Sequence, residues 1–268
     1  DKNKGVVLVK NENYGHANVG KPAASIGRIH VFPVPDRQAQ VAKMLIGAQD
    51  IMYNVDKDQA TSLAANPEFR VSVQSSVAFS YVTFDAAGRT SNKVFKDQRV
   101  RRALMLALDR KELLKLVHDD IAGEPLQQVM CHSWHQGCAS TTQTTGYDLA
   151  EAKRLLAEAG LANGFETSIL TWGPSRAVAE AVAGLWRKIG VRAKLFRMTF
   201  GSYRKRQRDN KQVALLGRYS SGGLPDASAI TDFYFGGTAR DYYHDKVLDG
   251  LRLKVKSTMD VNKRKEFF

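Results

Sequence analysis

Long apolar runs, cysteines and the short signatures of common enzymes are all scarce in these 268 residues, and each scarcity narrows what the chain can be. No stretch of about 18 or more apolar residues occurs, so no segment reads as a membrane-spanning helix. A Gly-x-Ser-x-Gly elbow and a His-Glu-x-x-His helix are both missing. The six histidines, His16, His30, His118, His132, His135 and His244, are scattered apart from one pair. Catalysis needs converging groups and few are on view, so neither an enzyme nor a cofactor is expected, with a metal-dependent enzyme centred on His132 and His135 as a rival reading. Asp1 to Lys10 holds only the short apolar run Val6 to Val9 and no small-residue cleavage site, so any export signal is expected upstream.

What is present fits a globular protein with a proper core. Hydrophobic residues make up 43% and charged residues 25%, and this length allows one large domain or two lobes. The formal net charge of +13 would suit an anionic partner. Much of the excess lies on expected helices, as in Arg99, Arg101, Arg102, Arg110, Lys111 and Lys115, where it reads as a solvated face. The densest cluster, Arg204-Lys205-Arg206-Gln207-Arg208, keeps a second reading open, a nucleic-acid or polyanion-binding module. No recognisable nucleic-acid module accompanies it, and the main reading has no nucleic-acid partner.

Periodicity and caps place the elements. Val6 to Val9 and Ile29 to Phe32 read as buried strands, separated by a stretch in which Gly15 to Lys21 resembles a phosphate loop until Pro22 replaces the required hydroxyl. Asp36 caps a helix through Ile46 that Gly47 stops, and a short helix runs from Asp58 to Ala65. Val71 to Phe84 is strand-like. Asp97, Asp109 and Asp148 open helices, the last two as Asp-x-x-Glu capping boxes, with Gly160 closing the third. Strand Thr167 to Thr171, helix Arg176 to Ile189, strand Val191 to Met198, helix Ser202 to Arg208 and strand Val213 to Gly217 then alternate. That alternation predicts an α/β domain with a largely parallel sheet. Asp245 to Lys256 and Asp260 to Phe268 read as two helices.

In such sheets ligands sit outside the strand ends, which directs attention to two loops. The first, Trp172 to Arg176, offers a flat indole and one cation. The second runs from Arg218 to Asp226. There Tyr219 supplies a ring and a hydroxyl, while Ser220, Ser221, Gly222 and Gly223 let backbone amides approach a ligand. Trp186, inside a helix, reads as core. The segment Cys131-His132-Ser133-Trp134-His135-Gln136-Gly137-Cys138 could in principle hold zinc, but one short loop seldom wraps a tetrahedron. The plainer reading is a disulfide between Cys131 and Cys138, with two free thiols and a metal site as alternatives.

Several motifs in order carry a resemblance. Asn11-Glu12-Asn13-Tyr14, Pro35-Asp36, Phe95-Lys96-Asp97-Gln98-Arg99-Val100-Arg101-Arg102-Ala103-Leu104, Ala107-Leu108-Asp109-Arg110, Tyr147-Asp148-Leu149-Ala150-Glu151-Ala152-Lys153 and Leu155-Leu156-Ala157-Glu158-Ala159-Gly160 resemble the family 5 extracellular solute-binding proteins. These are peptide and nickel receptors of bacterial ABC importers. The resemblance implies a class II periplasmic-binding-protein-like α/β fold, with residues 1–73 as part of lobe one and 74–268 as lobe two. It also implies an exported, periplasmic, monomeric carrier that takes a peptide or related small polar solute between its lobes and delivers it to membrane permease subunits. Full members are about twice this long.

The departures bear on the solute. Dipeptide-binding members hold the peptide amine with an Asp in the loop over the ligand, and the alignment of Gly223-Leu224-Pro225-Asp226 puts Gly223 there. Their carboxylate-binding Arg lies in the strand-to-helix loop, where this chain has only Arg176 at the edge, and Arg218 replaces the usual tryptophan. Arg176 and Arg218 are each available to an anionic group. Because residues after about 74 carry their own strands, capped helices and apolar faces, they are expected to fold alone. Limited proteolysis should leave a stable core containing Asp97 to Met198; early cuts inside Asp148 to Ala159 would contradict that division.

Overall fold

Aspartate does much of the work of starting helices here. In the computed structural model, carboxylates of Asp36, Asp56, Asp97, Asp109, Asp148, Asp226, Asp245 and Asp260 each accept a backbone N–H from the first turn of the helix that follows. Such a cap satisfies a donor that has no partner within the helix and places negative charge at the positive end of its dipole. The structure describes residues 5–14, 22, 24–53, 55–72, 78–118, 131–132, 135–138, 146–209, 214–219, 224 and 226–267. The phosphate-loop-like segment Gly15 to Lys21 lies outside them.

The chain divides into two units, Asp1–Val71 and Ser72–Phe268. In the first, β1 (Val6–Val9) and β2 (Arg28–Val31) form an antiparallel ribbon that pairs Val6 with Val31 and Val9 with Arg28. The expectation of buried strands fails. Val6, Val7, Leu8 and Val9 are 51–66% exposed, because a two-stranded ribbon has two faces and neither is covered in this unit. Helices α1 (Arg37–Leu45) and α2 (Lys57–Ala64) follow, and α1 ends where Gly47 takes φ +70°.

The second unit is built on a four-stranded sheet in the order β3-β6-β4-β5. Its strands are β3 (Phe79–Phe84), β4 (Glu166–Trp172), β5 (Arg192–Met198) and β6 (Ala214–Tyr219). β4 runs parallel to both its neighbours, whereas β3 is antiparallel to β6, so the parallel sheet expected carries one reversed edge. β6 runs two residues further than expected, which moves Arg218 and Tyr219 out of the loop and into the strand.

Helices α3 (Gln98–Leu106) and α4 (Arg110–His118) begin directly after the expected capping residues Asp97 and Asp109, and α5 (Leu149–Glu158), α6 (Arg176–Arg187) and α7 (Phe200–Arg208) lie close to the expected ranges. A further helix, α8 (Ala227–Phe235), was not foreseen, and α9 (Lys246–Ser257) and α10 (Val261–Glu266) complete the unit.

Because side chains alternate along a strand, β4 serves two layers. Ile169 joins the main core with Phe95, Leu104, Leu156, Val182 and Trp186, while Leu170 and Trp172 pack on the other face with Tyr203 of α7. Two loops meet just before the parallel pair begins. Gly164, at φ +74°, lies so close to Gly190 that a Cβ on it would stand 2.0 Å from the Gly190 carbonyl oxygen. Trp186 is fully buried, and its Nε1–H donates to the Leu104 carbonyl at 3.1 Å, tying α6 to α3. Trp186→Ala should therefore cost about 3–5 kcal/mol of unfolding free energy in urea. Trp186→Phe keeps most of the packing but strands the Leu104 carbonyl, and should cost about 1–3 kcal/mol. Near-neutral values for both would show that this contact is not central.

Candidate functional site

The connection from β4 leads into α6, which packs with the main core, and the connection from β5 leads into α7 on the opposite face. Adjacent parallel strands whose connections leave to opposite faces open a crevice at their carboxyl ends. Trp172 and Met198 end β4 and β5 and are paired in register.

On the α7 face Trp172 is half-buried, its ring 4.7 Å from that of Phe200 and 6.4 Å from that of Tyr203. On the α6 face the register pairs Thr171 with Arg197. These two residues, with Leu195 on β5 and Arg176 and Glu180 on α6, line a cavity of about 220 Å³. Arg176 Nε donates to Glu180 Oε1 at 2.7 Å. The expected site residues Trp172 and Arg176 thus flank the same strand end on opposite faces.

The other expected residues are placed only in part. Arg218 and Tyr219 lie opposite Ser80 and Phe79 at the end of β6. Ser220, Ser221, Gly222 and Gly223 lie outside the described residues. Asp226 is engaged within the protein: it caps α8 through the Ser228 N–H at 2.8 Å and pairs with Arg264 of α10 at 2.8 Å. Burial pushes its carboxyl up, but hydrogen bonds from Ser228 and the Arg264 guanidinium outweigh this and hold it below the usual carboxylate range.

Cys131 and Cys138 form a disulfide, as the plainer reading of their spacing expected. The loop it closes docks on the start of α8, where the Gln136 carbonyl accepts the Ala227 N–H at 3.0 Å. Inside that loop His135 is buried and its Nδ1 accepts the His132 N–H at 2.8 Å. Burial, reinforced by His132, lowers its pKa and favours the neutral ring. Among the described residues no group of three or more His, Cys, Asp or Glu side chains is placed to hold a metal ion.

The basic cluster on α7 lies on the side of the helix away from its two buried residues, and part of it is paired within the protein. Tyr203 and Gln207 point inward, Arg204 donates to Gln207 at 2.8 Å, and Lys205 pairs with Asp209 at 2.8 Å. Thr171 and Arg197 escaped the sequence reading, because their juxtaposition is set by strand register. The signal available was a lone arginine near the carboxyl end of an expected parallel strand.

The family model for bacterial extracellular solute-binding proteins, family 5 Middle, matches residues 1–242. The chain belongs to this family. It is a family of binding proteins and not of enzymes, and the α/β fold expected from the motifs is the fold found.

The heme-binding protein A of Haemophilus influenzae is 27% identical over 79% of this chain and 39% of its own length. The dipeptide-binding protein of Escherichia coli is 25% identical over 89% of this chain and 46% of its own length. Among solved structures, the periplasmic binding protein DppA of Helicobacter pylori in complex with the peptide STSA superposes with a TM-score of 0.83, at 20% identity, covering 100% of this chain and 52% of that one. The chain spans about half the length of the relatives it matches, or less.

The disulfide generates a test. Replacing both cysteines by serine should lower stability by about 2.5 kcal/mol, the chain-entropy value for so short a loop. Thiol titration of the unfolded, unreduced protein should find essentially no free thiol, and two thiols per chain would contradict the bridge.

Proposed function

We propose that this chain is part of the solute-binding component of a bacterial ABC importer, a monomeric periplasmic carrier that captures a peptide or related small polar solute and delivers it to membrane permease subunits. The observation that carries this reading is the family match, which extends over residues 1–242. The reading takes residues 1–73 as part of lobe one and 74–268 as lobe two. Relatives named for heme, dipeptides and glutathione, and a structural neighbour in complex with agropinic acid, support a small solute without choosing one.

In this reading Trp172, Arg176 and the segment 218–226 contact the solute, the last through backbone amides around Gly222 and Gly223. Asp226, at the end of that segment, is held by its cap of α8 and its Arg264 pair. Gly223 supplies no carboxylate for a peptide amine, so an ordinary dipeptide lacks one of its partners. Capture works by population shift, because solute contacts made in one conformation stabilise that conformation over others.

Calorimetry of the 268-residue chain against dipeptides, longer peptides and anionic amino-acid conjugates tests this. Dipeptides should bind with a Kd on the order of 1 mM or weaker. A tighter solute should weaken in Arg176→Ala or Arg218→Ala. Micromolar dipeptide binding insensitive to both substitutions would show the site to be elsewhere.

A further inference from the structure

We propose that the cavity between the ends of β4 and β5 and the first turn of α6 is an oxyanion subsite, in which the Arg197 guanidinium and the Thr171 hydroxyl hold a carboxylate or phosphate-like group of the solute. The proposal rests on the solute-binding reading and adds to it a chemical class and two residues.

Strand register makes the pair. Thr171 and Arg197 are direct partners in the parallel ladder, so their side chains rise from the same face of the sheet, toward α6. Thr171 is 1% exposed, and its Oγ1 makes no hydrogen bond. Buried hydroxyls are normally satisfied, so an unsatisfied one in a cavity wall points to a partner the protein does not itself supply.

Arg197, by contrast, is exposed, and among the described residues no acidic side chain pairs with it. A guanidinium offers a fork of N–H donors that matches a carboxylate or phosphate edge.

The remaining lining residues set the charge balance. Glu180 would repel an anion, but its carboxylate is taken up by Arg176 at 2.7 Å. Two arginines against one glutamate leave a single positive charge at the cavity. The first turn of α6, a helix of 12 residues, adds the positive end of its dipole. Just before it, the fully buried Ser175 Oγ also makes no hydrogen bond and gives α6 no side-chain cap. With about 220 Å³ available and Leu195 as an apolar wall, the cavity holds more than the charged group alone.

The test uses the 268-residue chain at constant ionic strength, titrated separately with acetate and with inorganic phosphate and followed by calorimetry and by amide shifts of residues 171–180 and 195–198. One of the two ions should saturate. Acetate as the tighter ion assigns a carboxylate, phosphate as the tighter ion a phosphate-like group. Arg197→Gln should weaken binding at least tenfold and Thr171→Val several-fold, while Glu180→Gln, which releases Arg176, should tighten it. Arg208→Gln, on α7, should change nothing.

Saturation by neither ion would overturn the subsite, and so would equal weakening by Arg208→Gln and Arg197→Gln, which would mark a response to overall charge. If a solute from the calorimetric panel binds and neither ion does, the subsite alone is lost. If nothing binds, the solute-binding reading falls with it.

Discussion

Two parallel strands cannot be joined by a turn, and the second unit is organised around that constraint. The chain leaving β4 must climb back over the sheet before it can enter β5, and it does so as α6, burying Val182 and Trp186 against Ile169. Leaving β5 it must return again to reach β6 on the far side of β4, and it does so as α7 on the other face. β4 is thereby covered on both sides, which is why Ile169, Leu170 and Thr171 are buried in succession. The same pair of crossovers leaves the carboxyl ends of β4 and β5 uncovered, so the place where a solute is expected follows from the burial of the core.

Register then decides which side chains meet at that end. At the other end of the strands the loops carrying Gly164 and Gly190 approach too closely for any side chain at Gly164. A slip of one residue between β4 and β5 would carry one of Thr171 and Arg197 to the α7 face, and with it Ile169 or Leu195 into the wrong layer. Packing of the apolar residues therefore holds the polar pair in place.

Helix starts were legible in the sequence because their cause is local. Asp97, Asp109 and Asp148 accept N–H groups two or three residues ahead, and a reader needs no tertiary information to find them. What was not legible depended on distant partners. The ribbon of β1 and β2 has the composition of buried strands, yet whether a strand is buried depends on a second layer that its own residues do not encode. The last turn of β6 was hidden because Arg218 and Tyr219 are paired by β3, more than a hundred residues earlier. Asp226 read as a loop residue near a ligand, since nothing around it announces Arg264, 38 positions later.

The same division between local and distant pairing explains what the net charge of +13 does and does not do. Arg176 with Glu180, Lys205 with Asp209 and Arg154 with Glu151 and Glu158 are compensated within one helical turn, on exposed faces where such pairs add little stability. Longer-range pairs do structural work: Arg252 with Asp232 joins α9 to α8, and Arg264 with Asp226 joins α10 to the start of α8. Arg197 fits neither pattern. On a strand, residues three and four apart point to opposite faces or lie too far along the chain to pair as they do on a helix, so compensation must come from a neighbouring strand. In the β4–β5 ladder its partner is Thr171, a neutral hydroxyl. A cation whose partner is an unsatisfied hydroxyl, at the open end of a parallel pair, is an arrangement that an anion completes.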